Sequence, residues 1–163
     1  SPRFTWIRDK ALANPTEWLI EPPGYGEARL QGMKVYCKVD FLFVVDGRVT
    51  ILDWKTGRTD TEKHLRQLLG YGAWAVHHLG VPASAIDAVT AYLKPAYSEI
   101  ARTPTDAELS EFAIRIRAET DQMQAFCRDI PQNLPRQKSE FPMTGNDRSC
   151  RLCNYRELCN RMA

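Results

Sequence analysis

The chain has 163 residues, the length of one ordinary domain. Its 44% hydrophobic and 26% charged residues fit a globular protein with a core and exclude a disordered, collagen-like or low-complexity chain. With 22 Lys and Arg against 20 Asp and Glu, the net charge of +2 is too small to mark a nucleic-acid binder by bulk charge, so any basic surface is local.

Phe4 to Leu12 reads as a short helix, with Phe4, Ile7, Ala11 and Leu12 near one face, ended by Asn14-Pro15. Glu21 to Gly26 carries two prolines and two glycines and reads as a connector. Lys34 to Val45 is rich in Val, Tyr and Phe and reads as a strand. Asp46-Gly47 is a two-residue hairpin signal, and Val49 to Trp54 is its antiparallel partner. Thr59 with Glu62 forms a capping box that opens a helix to about His78, stopped by Gly80 and Pro82. Ile86 to Leu93 reads as a buried strand, so strand, helix and strand imply a parallel pair beside the hairpin and a mixed sheet. A second capping box, Thr105 with Glu108, starts a helix through Phe112, Ile116 and Met123 toward Phe126, closed by Pro131, with Met123 and Phe126 expected in the core. A polar linker, 131–145, leads to a cysteine tail.

The longest uncharged stretch, Gln67 to Ile86, contains Gly70, Gly72, His77, His78, Gly80 and Pro82, which a membrane span rarely tolerates. No basic segment leads into an apolar run at the N-terminus, so no secretory signal is visible and a cytoplasmic location without membrane association is expected. The opening Ser1-Pro2 fits a domain cut from a larger protein.

Residues two apart in a strand share a face, so Asp53 and Lys55 project to one side and Trp54 to the other. The hairpin folds Asp40 back toward Asp53. Two carboxylates and a lysine suit Mg²⁺ or Mn²⁺, hard cations that prefer carboxylate oxygens and leave positions for water and phosphate. The lysine can orient or deprotonate water and stabilise charge on phosphorus oxygens, which points to phosphodiester hydrolysis. Gln67 and Tyr71, four apart on the next helix, share a face with His64 and Trp74 near that line. This stripe either faces a nucleic-acid backbone or packs on the sheet.

Gly32 leading to Asp40, then Ile51-Leu52-Asp53-Trp54-Lys55-Thr56-Gly57, then Gln67-Leu68-Leu69-Gly70-Tyr71, resembles the PD-(D/E)XK nuclease superfamily in its RecB-like branch. The resemblance implies an α/β fold with a restriction-endonuclease-like core, a central mixed sheet flanked by helices. It also implies a metal-dependent deoxyribonuclease. Carried over, Asp40 and Asp53 hold the metal, Lys55 is catalytic, and Gln67 and Tyr71 support the site and contact DNA. The family usually has an earlier acidic residue or His on an N-terminal helix. This chain has no His before His64, leaving Glu17, Glu21, Glu27 or a residue upstream of Ser1.

Five cysteines, three of them Cys150, Cys153 and Cys159, read as a metal or cluster site rather than a disulfide framework. Zinc suits such thiolates. The tail also resembles the iron–sulfur clasp of AddB-type and CRISPR-adaptation nucleases, in which three C-terminal cysteines and one distant cysteine hold a [4Fe–4S] cluster. The fourth ligand is then Cys37, Cys127 or a cysteine before Ser1. Strand parity turns Cys37 away from Asp40 and toward the core.

The expected organisation is a single domain over 1–163, with an N-terminal helix and connector at 1–31, a catalytic core at 32–130, and a linker and cysteine clasp at 131–163. The expected function is a DNA exonuclease in repair, recombination or phage-related processing, beside a helicase or other recombination subunit. One alternative keeps the fold and binds or scaffolds DNA without turnover. Another is an iron–sulfur or zinc interaction domain with no nucleic-acid partner.

Overall fold

A computed structural model describes residues 1–13, 18–20 and 27–159. The connector expected at Glu21 to Gly26, and Glu17 and Glu21 with it, lie outside the described residues. Helix α1 (Pro2–Ala13) is followed by strand β1 (Trp18–Ile20) and the hairpin β2 (Glu27–Leu30) and β3 (Met33–Tyr36). Strands β4 (Phe41–Val45) and β5 (Arg48–Lys55), helix α2 (Thr61–Leu79) and strands β6 (Ile86–Tyr92) and β7 (Ser98–Arg102) come next. Helix α3 (Asp106–Gln124), strands β8 (Cys127–Asp129) and β9 (Leu134–Pro135), and the short helix α4 (Asp147–Arg151) complete the order.

The central sheet runs β1-β4-β5-β6-β7, with β5 and β6 parallel and the other neighbours antiparallel. This is the mixed α/β architecture expected, consistent with a restriction-endonuclease-like fold. The β4–β5 loop is two residues long, and both Asp46 (φ 52°) and Gly47 (φ 73°) are left-handed, the combination that matches a tight hairpin to the twist of its strands. Helix α2 begins one residue later than the Thr59 box places it. Asp60 is the N-cap, its carboxylate accepting from the Lys63 N–H at 3.1 Å, where a negative charge meets the positive end of the helix. The second box forms as expected, with the Glu108 N–H donating to Thr105 Oγ1 and the Thr105 N–H to Glu108 Oε2.

The run Lys34 to Val45 is not one strand. β3 pairs only with β2, in a separate two-stranded sheet whose Ala28 and Leu30 pack into the same apolar clusters as α2. The chain then crosses through residues 37–40 to join the central sheet as β4. The sheet is covered on both faces, which explains why β5 and β6 are apolar almost throughout. Val49, Ile51, Ile86 and Ala88 pack with Leu68, Tyr71, Trp74 and Ala75 of α2. Phe41, Phe43, Leu52, Val89 and Ala91 pack with Ile7 of α1. Gly72 lets α2 approach its neighbour closely, since a Cβ there would stand 2.9 Å from Pro104 Cγ.

The chain divides into two compact units, Ser1–Arg117 and Ala118–Ala163, with the division inside α3. In the second unit no described residue is buried. Met123 and Phe126, expected in a core, are exposed; Phe126 stacks on Phe141 with ring centroids 5.4 Å apart. Helix α3 stops at Gln124, its last turn tightening as the Phe126 N–H donates to the Met123 carbonyl at 3.1 Å, and the Phe126 carbonyl accepts from the Arg136 N–H at 2.9 Å beside β8 and β9.

Candidate active site

Asp53 and Lys55 lie at the end of β5 on the face that carries Val49 and Ile51, toward α2. Asp53 is 1% exposed, and a carboxylate that deep in a protein survives ionised only with strong partners. It has three. Lys55 Nζ donates to Oδ1 at 2.8 Å, Tyr71 OH donates to the same oxygen at 2.9 Å, and Gln67 Nε2 reaches it at 3.3 Å. Gln67 Nε2 also donates to Tyr71 OH at 2.6 Å, so amide, phenol and carboxylate form a chain in which each hydrogen bond polarises the next. Burial first, and then the Asp53 charge, push the Tyr71 hydroxyl well above the ordinary tyrosine range, so it remains a donor.

The spacing of Gln67 and Tyr71 on α2 therefore serves Asp53 from above, one helical turn apart. Of the stripe read from sequence, Trp74 belongs to the core. Asp40 is half-buried and its Oδ2 accepts from the Trp54 N–H at 3.1 Å, which ties it to the residue between Asp53 and Lys55. Its charge also reaches Tyr71.

The donor set suits a hard cation. Asp53 Oδ2 is fully buried with the Lys55 ammonium 2.7 Å away, yet no donor is aligned on it, so its lone pairs are the ones best placed to meet Mg²⁺ or Mn²⁺. Among the described residues no three His, Cys, Asp or Glu stand close enough to hold one metal ion, so a third acidic ligand is not among them. Glu27 is engaged elsewhere, by Lys34 at 2.9 Å and Arg29 at 3.8 Å.

Lys55 opens onto a groove of about 750 Å³ shared with Lys38, Lys63 and Arg66, whose far wall is Phe112 and Ile116. Cys37 packs against the core beneath α2, as expected, but lines this groove as well, which corrects the half of the parity argument that turned it away from the site. Residues 37–40 belong to no strand, so alternation does not carry across them. Burial, and then the Asp53 charge, push the Cys37 thiol up to about 12, leaving it a weak nucleophile.

Sequence reasoning missed the row beside the Asp53 and Lys55 pair. Parallel register sets Thr90 against Asp53 and Tyr92 against Lys55. Thr90 is fully buried with a hydroxyl that no group bonds, and the Tyr92 hydroxyl lies 2.6 Å from His64 Nδ1. The Asp-X-Lys spacing repeated as Thr-X-Tyr in the next apolar strand is the signal that would have found them.

In the second unit Cys127, Cys150, Cys153 and Cys159 form no disulfide, and Cys150 and Cys159 line one cavity of about 810 Å³ with Phe141, Pro142 and Met143. The three tail cysteines are not gathered closely enough to share one ion. No helix among the described residues is long and apolar enough to cross a membrane.

No curated protein matches the chain. Among solved structures, the one described as the crystal structure of SSO0001 is 17% identical with a TM-score of 0.48, covering 98% of this chain and 67% of its own. The model of the PD-(D/E)XK nuclease superfamily matches residues 2–160. A match over nearly the whole length, spanning the strand that carries Asp53 and Lys55 and the helix that carries Gln67 and Tyr71, establishes that the chain belongs to the PD-(D/E)XK nuclease superfamily.

Proposed function

We propose that this chain hydrolyses DNA phosphodiester bonds, with Asp40 and Asp53 holding Mg²⁺ or Mn²⁺. The observation that carries the reading is a buried carboxylate, Asp53, fixed by Lys55, Tyr71 and Gln67, three residues that line a groove whose other charged side chains are Lys38, Lys63 and Arg66. The bound cation would polarise the phosphoryl oxygen and lower the pKa of the attacking water. Lys55 is the partly exposed member of its pair and the ammonium that an incoming phosphate meets, placed to steady charge that grows on phosphorus oxygens. Tyr71 and Gln67 hold Asp53 in one rotamer. Lys38, Lys63 and Arg66 supply sequence-independent attraction for the strand.

The RecB-like resemblance supports an exonuclease acting in repair, recombination or phage-related processing, beside a helicase or other recombination subunit. It also supports a [4Fe–4S] cluster, or zinc, on Cys150, Cys153 and Cys159 as a structural staple. Two of these thiols lining one cavity, in a unit whose described residues include no buried one, agree with that role. Cys127 lies in the same unit as a candidate fourth ligand, whereas Cys37 lines the catalytic groove. Iron and zinc analysis of anaerobically purified protein, with its visible spectrum, decides between the metals.

The second reading, a fold that binds DNA without cutting it, draws on the missing third acidic ligand among the described residues. End-labelled single- and double-stranded DNA incubated with Mg²⁺ or Mn²⁺ separates the two. Asp53→Asn keeps an acceptor for Tyr71 but removes the charge, and is expected to slow cleavage at least about 10²-fold with folding retained. Equal cleavage by the variant would remove Asp53 from the mechanism. Binding without cleavage by the wild type favours the second reading.

A further inference from the structure

His64 is a buried polar residue that the superfamily assignment leaves without a role. It lies three residues before Gln67 on α2, is 7% exposed, and has Nδ1 within 2.6 Å of the Tyr92 hydroxyl. Tyr92 is itself buried and stands opposite Lys55 in the parallel register. Burial, and then the charges of Asp60 and Asp53, raise the Tyr92 phenol, so it keeps its proton and can donate it to Nδ1. An imidazole that accepts at Nδ1 carries its hydrogen on Nε2. A protonated ring also presents an N–H there.

The ring lines two cavities. One is the groove with Lys55, Lys38 and Arg66; the other, about 510 Å³, lies at the amino end of α2 with Arg58, Thr59 and Asp60. Both are lined by Lys63 and His64. A strand whose scissile phosphate rests at Lys55 and which continues toward Arg58 runs from the first of these cavities to the second, and His64 lines both. The Asp60 carboxylate in the second cavity is engaged by the Lys63 N–H as the helix cap, and Arg58, Lys63 and His64 are donors along that path beside the Thr59 and Thr61 hydroxyls.

We infer that His64, its ring set by the Tyr92 hydroxyl, is a further substrate-binding residue of this site, donating from Nε2 to the phosphate next to the scissile one on the nucleic-acid strand. The inference rests on the nuclease reading for the identity of the strand. Helix α2 then has two tasks one turn apart: Gln67 and Tyr71 hold the carboxylate, and His64 holds the substrate.

The test is the affinity of the intact chain for a fluorescent single-stranded oligonucleotide, measured with chelator present so that binding is read without turnover. His64→Leu combined with Tyr92→Phe removes both polar partners together and leaves neither orphaned; it is expected to weaken binding about tenfold. His64→Gln places an amide N–H near the position of Nε2 and is expected to stay within about twofold of wild type. In cleavage assays the double variant should raise KM by the same factor with kcat little changed. Wild-type affinity in the double variant, or a loss in His64→Gln as large as in the double variant, overturns the inference. If the double variant does not fold, Tyr92→Phe alone decides, since it keeps the ring's shape and must still weaken binding. A wild type that binds but cuts nothing sinks the nuclease reading and leaves His64 to be judged by the affinity ratios; a wild type that binds no strand sinks both.

Discussion

In residues 1–117 the group most costly to bury, Asp53, is held by three donors between a strand and a helix, whereas in 118–163 no described residue is buried and Cys127, Cys150, Cys153 and Cys159 form no disulfide. The first unit has a continuous apolar core on both faces of its sheet, and that core fixes the register that brings Asp53 and Lys55 to α2. The second leaves Leu152, Tyr155 and Leu158 well exposed and has only short elements after α3. A segment of that size rarely holds itself together by burial alone and depends on a staple or a partner surface. The comparison teaches that one chain can fix one set of polar side chains by packing and carry a second segment whose described residues have no core of their own.

The largest expected contrast is in hydrogen exchange. Amides of β5, β6 and α2 should be protected to near the global unfolding free energy, about 5–15 kcal/mol, and those of 127–159 in metal-free protein close to none. Equal protection would dissolve the comparison. Next, Lys55→Ala leaves Asp53 buried without its cation and is expected to cost about 3–5 kcal/mol, read by urea unfolding. Adding Asp53→Asn to the same chain should recover most of that loss, because no buried charge is then stranded. Tyr71→Phe removes a hydrogen bond to a buried carboxylate, for about 1.5–3 kcal/mol, and leaves Gln67 without its nearer acceptor. The smallest effect compares two glycines of α2. Gly70→Ala meets only Phe112 Cζ at 3.5 Å and should stabilise by about 0.5–1 kcal/mol, whereas Gly72→Ala meets Pro104 Cγ at 2.9 Å and should destabilise by about 1 kcal/mol, both seen as shifts in Tm.

The elements that frame the site were legible because local signals agreed with the fold: Asp46-Gly47 for the hairpin, Gly80 for the end of α2, and an apolar run for β6. The exit of residues 37–40 from the sheet was not legible. Val, Tyr and Phe continue across it with no turn residue, and the reason for the break, β3 pairing with β2 instead of β5, is a tertiary fact. The reading that turned Cys37 away from the site failed with it. Strand β7 hid in a short polar segment whose only cue is its pairing with β6. The bond between His64 and Tyr92 joins residues 28 apart through the packing of α2 on the sheet, which no local pattern encodes.

Asp40, Asp53, Lys55, His64, Gln67, Tyr71 and Tyr92 come from one uninterrupted stretch of chain, because α2 is itself the crossover between the parallel strands β5 and β6. Segments added before residue 40 or after residue 92 lengthen no loop inside the site and add nothing to the entropy of closing it. Such an arrangement lets a lineage exchange its flanking parts while the cluster around Asp53 is inherited whole.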